Sequence, residues 1–88
     1  MKYFEWDEKK RKYNLAKHGI DFIDAIAIFE DPDRIEFRTV RRGETRVQTI
    51  GVVHKIILFL VYTFRGRKKR IISVRRASKN ERKAYDQA

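Results

Sequence analysis

Between Ile56 and Phe64 the chain is apolar at every position except Thr63. The run has about half the length a bilayer-spanning helix needs. It is rich in β-branched and aromatic residues and shows no alternation, which predicts a central strand covered on both faces. Such a strand demands partners on either side, and the flanking sequence offers them. Before it, Ile35, Phe37 and Thr39 alternate with Arg34, Glu36 and Arg38, the period of a strand with one buried face. Arg41-Arg42-Gly43-Glu44 then reads as a hairpin connection, Arg46 to Val53 as a second strand, and His54-Lys55 as a tight turn into the apolar run. After it, Arg65 to Lys69 turns the chain again and Arg70 to Arg76 forms a last strand.

The first third has a different rhythm. Tyr3 to Trp6 reads as a short aromatic strand ending at Asp7, a good N-cap for a helix from Glu8 to His18 that stops at Gly19. Only Tyr13, Leu15 and Ala16 are apolar inside that helix. Asp21 begins a second helix, with Asp24 as a partial capping box and Phe22, Ala25, Ile26 and Phe29 at helical spacing, ending before Asp31-Pro32-Asp33. Ser78 caps a C-terminal helix with Glu81 at the capping-box position. The order β-α-α-β-β-β-β-α predicts an α+β domain, a mostly antiparallel sheet with helices packed on it. The 88 residues leave room for one domain, spanning 1–88.

Charge narrows the range of functions. The net +10 is uneven: residues 1–33 carry −2 and residues 34–88 carry +12. A polyanion site would therefore be built from the later elements. With no cysteine, a disulfide framework, a thiolate zinc site and a cysteine nucleophile are excluded. No phosphate-cradling glycine loop, H-E-x-x-H pair or G-x-S-x-G elbow occurs. Glu30, Asp31 and Asp33 have metal-binding composition, but Asp-Pro-Asp after a helix reads as a turn with a solvated edge. No metal and no cofactor are expected. The charged N-terminus has no apolar leader segment, so a soluble cytoplasmic protein without membrane partners is expected.

Arg65, Arg67, Lys68, Lys69 and Arg70 form the densest cationic segment, with Arg75 and Arg76 just beyond. Arginine forks bind phosphate bidentately and stabilise charge that builds on phosphorus. Charge alone favours a hairpin that only confers solubility or grips phosphates without cleaving them. Alternation puts Arg70, Ile72, Val74 and Arg76 on one side of the last strand and Ile71, Ser73 and Arg75 on the other, so only Arg75 shares a face with Ser73. On the final helix Glu81 and Tyr85 fall four residues apart, a potential base and a potential proton donor, or else a cap and a core tyrosine. His18 suits proton transfer or simple helix capping. Tyr62, Phe64 and Tyr85 could stack bases, although the first two suit the core. For RNA the substrate's own 2′-hydroxyl can attack the phosphate, so a small basic domain could suffice.

The blocks Phe4-Glu5-Trp6-Asp7, Asn14-Leu15-Ala16-Lys17-His18-Gly19-Ile20, Phe29-Glu30-Asp31-Pro32, Val61-Tyr62-Thr63 and Arg70-Ile71-Ile72-Ser73-Val74-Arg75-Arg76-Ala77, followed by Glu81-Arg82 and Tyr85, resemble the BrnT family. These are toxins of bacterial type II toxin-antitoxin modules. The resemblance covers about residues 3 to 85. It implies a RelE/ParE-like ribonuclease fold and metal-independent endoribonuclease activity that arrests translation. It also implies a cognate DNA-binding antitoxin, BrnA-like, whose complex with the toxin represses their operator DNA. Lys17, His18, Arg75, Arg76, Glu81 and Tyr85 are the motif positions carried over, with His18, Arg75, Arg76, Glu81 and Tyr85 as catalytic candidates. Lys17 joins the hairpin cations as an RNA-binding candidate. A bound antitoxin is expected to bury the cationic surface with acidic and apolar residues. A non-enzymatic nucleic-acid-binding module, or a degenerate toxin serving only operon autoregulation, also fits the charge and the fold.

Overall fold

A computed structural model describes residues 2–88. Its elements are β1 (Phe4–Glu5), α1 (Glu8–His18), α2 (Phe22–Ala25), a 3₁₀ segment (Ile26–Glu30), β2 (Ile35–Arg41), β3 (Glu44–Val53), β4 (Ile56–Arg65), β5 (Lys68–Arg76) and α3 (Lys79–Gln87). The sheet runs β1-β5-β4-β3-β2. Strands β2 to β5 form an antiparallel meander, and β1 alone is parallel, pairing Phe4 with Lys69 and Glu5 with Arg70. The α+β architecture and the element order are those the sequence predicts.

Helix α1 begins where Asp7 accepts a hydrogen bond from the Lys9 amide and ends at Gly19, whose φ of 72° permits the closing bond to the Leu15 carbonyl. Only Asn14 of α1 is buried, so hydrogen bonds rather than an apolar stripe attach this helix. The Asn14 side chain donates to the Ile20 carbonyl at 3.0 Å and accepts from the Val74 amide at 3.0 Å. It thereby closes the edge of β5 beyond the two-residue strand β1, where an open ladder would otherwise end. Arg11 adds a forked ion pair to Asp21 at 2.8 and 3.0 Å.

The predicted second helix is shorter than expected and tightens into the 3₁₀ segment. Phe22, Ala25 and Ile28 are fully buried, spaced three apart, whereas Ile26 and Phe29 are only half-buried. A three-residue turn brings every third side chain onto one line. These three residues pack on the sheet face built from Val47, Val53, Leu58, Leu60, Tyr62, Ile71 and Val74.

The central strand differs from expectation on its second face. Leu58, Leu60 and Tyr62 are buried, but Ile57, Phe59 and Val61 are only half-covered, because nine-residue α3 is too short to roof the whole sheet. The last strand also departs from simple alternation. A bulge shifts its register between Val61–Ser73 and Tyr62–Ile71, so Ile71 and Val74 both face the core although three residues apart. The connection expected over Arg65 to Lys69 narrows to Gly66 and Arg67, with Lys68 and Lys69 already in β5.

Candidate nucleic-acid groove and the α3 latch

Because Asn14 ties α1 alongside β5, the outer face of the helix and the second face of the strand form the walls of a groove of about 470 Å³. It is lined by Lys9, Lys10, Tyr13, Lys17, His18 and Ser73, with Asn14 and Ile72 at its base. No carboxylate lines it. The Lys17 ammonium sits 5.6 Å from the centre of the exposed Tyr13 ring. Of the predicted residues, Lys17 and His18 lie here. Lys9, Lys10 and Tyr13 were overlooked, although Tyr13 stands four residues from both Lys9 and Lys17 and three from Lys10, which gathers them on one helix face.

Arg75 stands two residues beyond Ser73 on the same face, as alternation predicts. Its guanidinium lies 4.3 Å from the Phe59 ring centre and donates both Nη groups to Glu81, at 2.7 and 3.0 Å. Glu81 also completes the capping box, accepting from the Ser78 amide while the Ser78 hydroxyl accepts from the Glu81 amide. The Arg75 hydrogen bonds, aided by Ser78 and opposed by burial, hold the Glu81 carboxyl below the usual glutamate range. An ion-paired carboxylate is a weak base. One Nη1–H of Arg75 is spent on the Arg76 carbonyl, which leaves Nε–H and one Nη2–H of its five donors uncommitted.

Tyr85 does not join this pair. Its hydroxyl donates to Asp31 Oδ2 at 2.6 Å, across 54 residues of sequence. That bond, followed by burial, pushes the phenol up to about 12, so it stays protonated at neutral pH. Asp31 is buried, contrary to the expected solvated turn. It also accepts from the Val52 amide at 2.8 Å and the Asp33 amide at 2.9 Å. Burial pushes its carboxyl up, but the Tyr85 hydroxyl and the two amides outweigh it and leave the value lowered. The turn comes this close to β3 because Gly51 has no side chain: a Cβ there would lie 2.7 Å from Ile28 Cγ1 and 3.3 Å from Asp31 Oδ2. Helix α3 buries no residue of its own. It is held by Glu81 to Arg75, Tyr85 to Asp31, and Arg82 to the Ala77 carbonyl. The sequence signal for Asp31 was its place in the Phe29-Glu30-Asp31-Pro32 block.

Arg76 points to the opposite face from Arg75 and pairs in register with Leu58. The two arginines therefore cannot grip one phosphate together. In the cationic hairpin, Arg65, Arg67 and Lys68 are exposed. Lys69 instead lies over the Phe29 and Tyr62 rings, and Arg70 is paired with Glu5. Of the proposed stacking aromatics, Tyr62 is buried and its hydroxyl donates to Glu36, while Phe64 is partly exposed beneath Arg38. Among the described residues no group of three or more His, Asp or Glu side chains is placed to hold a metal ion. No helix among them is long and apolar enough to cross a membrane.

A small basic α+β fold with an acid-free, lysine-lined groove along one helix has the charge of a protein that meets polyanions. The family model for the ribonuclease toxin BrnT of type II toxin-antitoxin systems matches residues 6–81, and the chain belongs to this family. Membership implies a cognate antitoxin and an RNA target. No curated protein shows significant similarity to the chain.

Proposed function

We propose that the protein is a metal-independent endoribonuclease whose RNA strand lies in the groove between α1 and β5. The observation that carries this reading is the meeting of two distant sequence blocks on that groove. Asn14, Lys17 and His18 come from one, and Ile72 and Ser73 from the other, with Arg75 two residues beyond Ser73 on the same strand.

Lys9, Lys10 and Lys17 hold backbone phosphates, and Tyr13 offers a stacking surface. The substrate 2′-oxygen attacks the adjacent phosphorus as its proton passes to a base, for which the His18 imidazole is the candidate. The bond from phosphorus to the 5′-oxygen breaks, and that oxygen takes a proton as it leaves. The uncommitted N–H groups of Arg75 stabilise the charge that builds on the phosphoryl oxygens. Glu81 orients Arg75, and Tyr85 with Asp31 positions α3 behind it. Arg65, Arg67 and Lys68, with the charge of nearby Lys69, attract flanking RNA, whereas Arg70 is neutralised by Glu5. Arg76, facing away, takes no part in this chemistry. In the cell such cleavage would inhibit translation, within a RelE/ParE-like fold and under control of a DNA-binding, BrnA-like antitoxin that carries the complex to operator DNA.

The test is incubation of antitoxin-free protein with RNA, with and without EDTA, followed by analysis of the fragment ends. Ends bearing a 2′,3′-cyclic phosphate and a 5′-hydroxyl in both samples are expected. Salt-dependent binding without product would instead make the domain a nucleic-acid-binding module, and loss of cleavage in EDTA would overturn metal independence.

A further inference from the structure

Adjacent positions on a strand serve opposite faces, so the Arg75-Arg76 pair is divided between two surfaces. Arg76 is exposed, and among the described residues it has no ion pair and no side-chain hydrogen bond. It stands between two adjoining cavities. One, of about 190 Å³, has apolar walls from Ile20, Ala25, Val53, Ile56 and Leu58. The other, of about 240 Å³, is shared with Lys55, Ile57, Ala77 and Arg82. Both are smaller than typical small-molecule sites and suit single side chains of a protein partner. Ile56, common to both, is 39% exposed.

The charges around these cavities are arranged by side. Lys55, Arg76 and Arg82 lie toward α3 and the β3–β4 turn. Asp21 and Asp24 lie toward α2, and Asp21 is already neutralised by Arg11. A phosphate backbone would meet an apolar floor and the Asp24 carboxylate, which disfavours RNA. A protein segment that inserts an aliphatic side chain and sets carboxylates beside it meets complementary groups throughout.

We propose that this Arg76 face docks an acidic, aliphatic segment of the cognate antitoxin, with its apolar side chain against Ile56, Val53 and Leu58 and its carboxylates toward Arg76, Lys55 and Arg82. The proposal rests on the chain being a type II toxin, but it does not depend on the cleavage chemistry. Toxin regulation then has its own surface, separate from the RNA groove, and a partner anchored here could extend across to that groove.

Titration calorimetry of purified cognate antitoxin into purified toxin tests it. Arg76→Glu and Ile56→Glu are each expected to weaken binding at least tenfold. Asp24→Lys, which removes the one opposing charge, is expected to strengthen it severalfold. All three positions are exposed, and melting temperatures within a few degrees of wild type show that the variants fold. Ile56→Glu keeps the wild-type rate of RNA cleavage. Wild-type antitoxin affinity in Arg76→Glu and Ile56→Glu overturns the proposal, as does equal weakening by Asp24→Lys. RNA affinity lost in Ile56→Glu with antitoxin affinity intact would assign the face to RNA. Self-association of the free toxin that Ile56→Glu abolishes, with antitoxin binding unchanged, would assign it to a second copy. Because calorimetry needs no catalysis, an inactive toxin would refute the cleavage reading and leave this one standing.

Discussion

Replacing Tyr85 by Phe removes one oxygen atom and with it the hydrogen bond that ties the second turn of α3 to Asp31. The bond is 2.6 Å long and its acceptor is a buried carboxylate. Hydrogen bonds to charged groups contribute about 1.5–3 kcal/mol. Asp31 keeps the Val52 and Asp33 amides, so it is not stranded, and water can replace part of what is lost at the half-exposed phenol. A loss of about 1–2 kcal/mol follows, which for a domain of this size lowers the melting temperature by about 4–12 °C. A nine-residue helix is marginal in isolation, so the change should be concentrated in α3, where amide hydrogen exchange accelerates more than in β3 or β4. The pH dependence has a definite sign. The folded Asp31 value is lowered, so its contribution is fully present above the unfolded carboxylate value of about 4 and is lost as pH falls through the folded value. The gap between wild type and Tyr85→Phe should therefore hold at neutral pH and shrink below about pH 4. A variant that melts within about 1 °C of wild type, with α3 exchange unchanged, would refute the latch.

Three further substitutions probe the frame. Gly51→Ala drives a methyl group into Ile28 and should cost about 1–3 kcal/mol in urea denaturation. Asn14→Leu leaves the Val74 amide without its acceptor and should cost about 1–3 kcal/mol, with faster exchange at that amide. Lys55 follows His54 in a turn where both residues have positive φ, 67° and 49°. Lys55→Gly should relieve about 1 kcal/mol of that strain and raise the urea midpoint without changing its slope.

Much of this was legible in the sequence because the signals were local. The caps Asp7, Gly19 and Ser78, the existence of a strand after Arg34 and the apolar run at Ile56 each depend on near neighbours, but the buried face expected for that strand is absent, because β2 is the sheet edge and leaves Phe37 half-exposed. What escaped depended on distant partners. The bulge that gives Ile71 and Val74 the same face needs the register of β4, and the half-open second face of β4 follows from how little α3 covers. Asp31 is buried only because Gly51, twenty residues on, lets the turn approach and Tyr85 reaches it from the far end of the chain. The groove was half-visible, through Lys17 and His18. Its other wall became apparent only once Asn14 had joined α1 to β5.

That junction has a temporal consequence. Strands β2 to β5 pair in sequence order and can zip up as successive hairpins, whereas β1 and α1 must wait for a strand that is made some sixty residues later. As the chain leaves a ribosome, the 3₁₀ segment can pack on β3 as soon as that strand is made, but α1 has no strand to dock on until β5 has emerged. The groove assembles among the last events of synthesis, and a truncated or stalled chain would have lysines on α1 but no opposing wall.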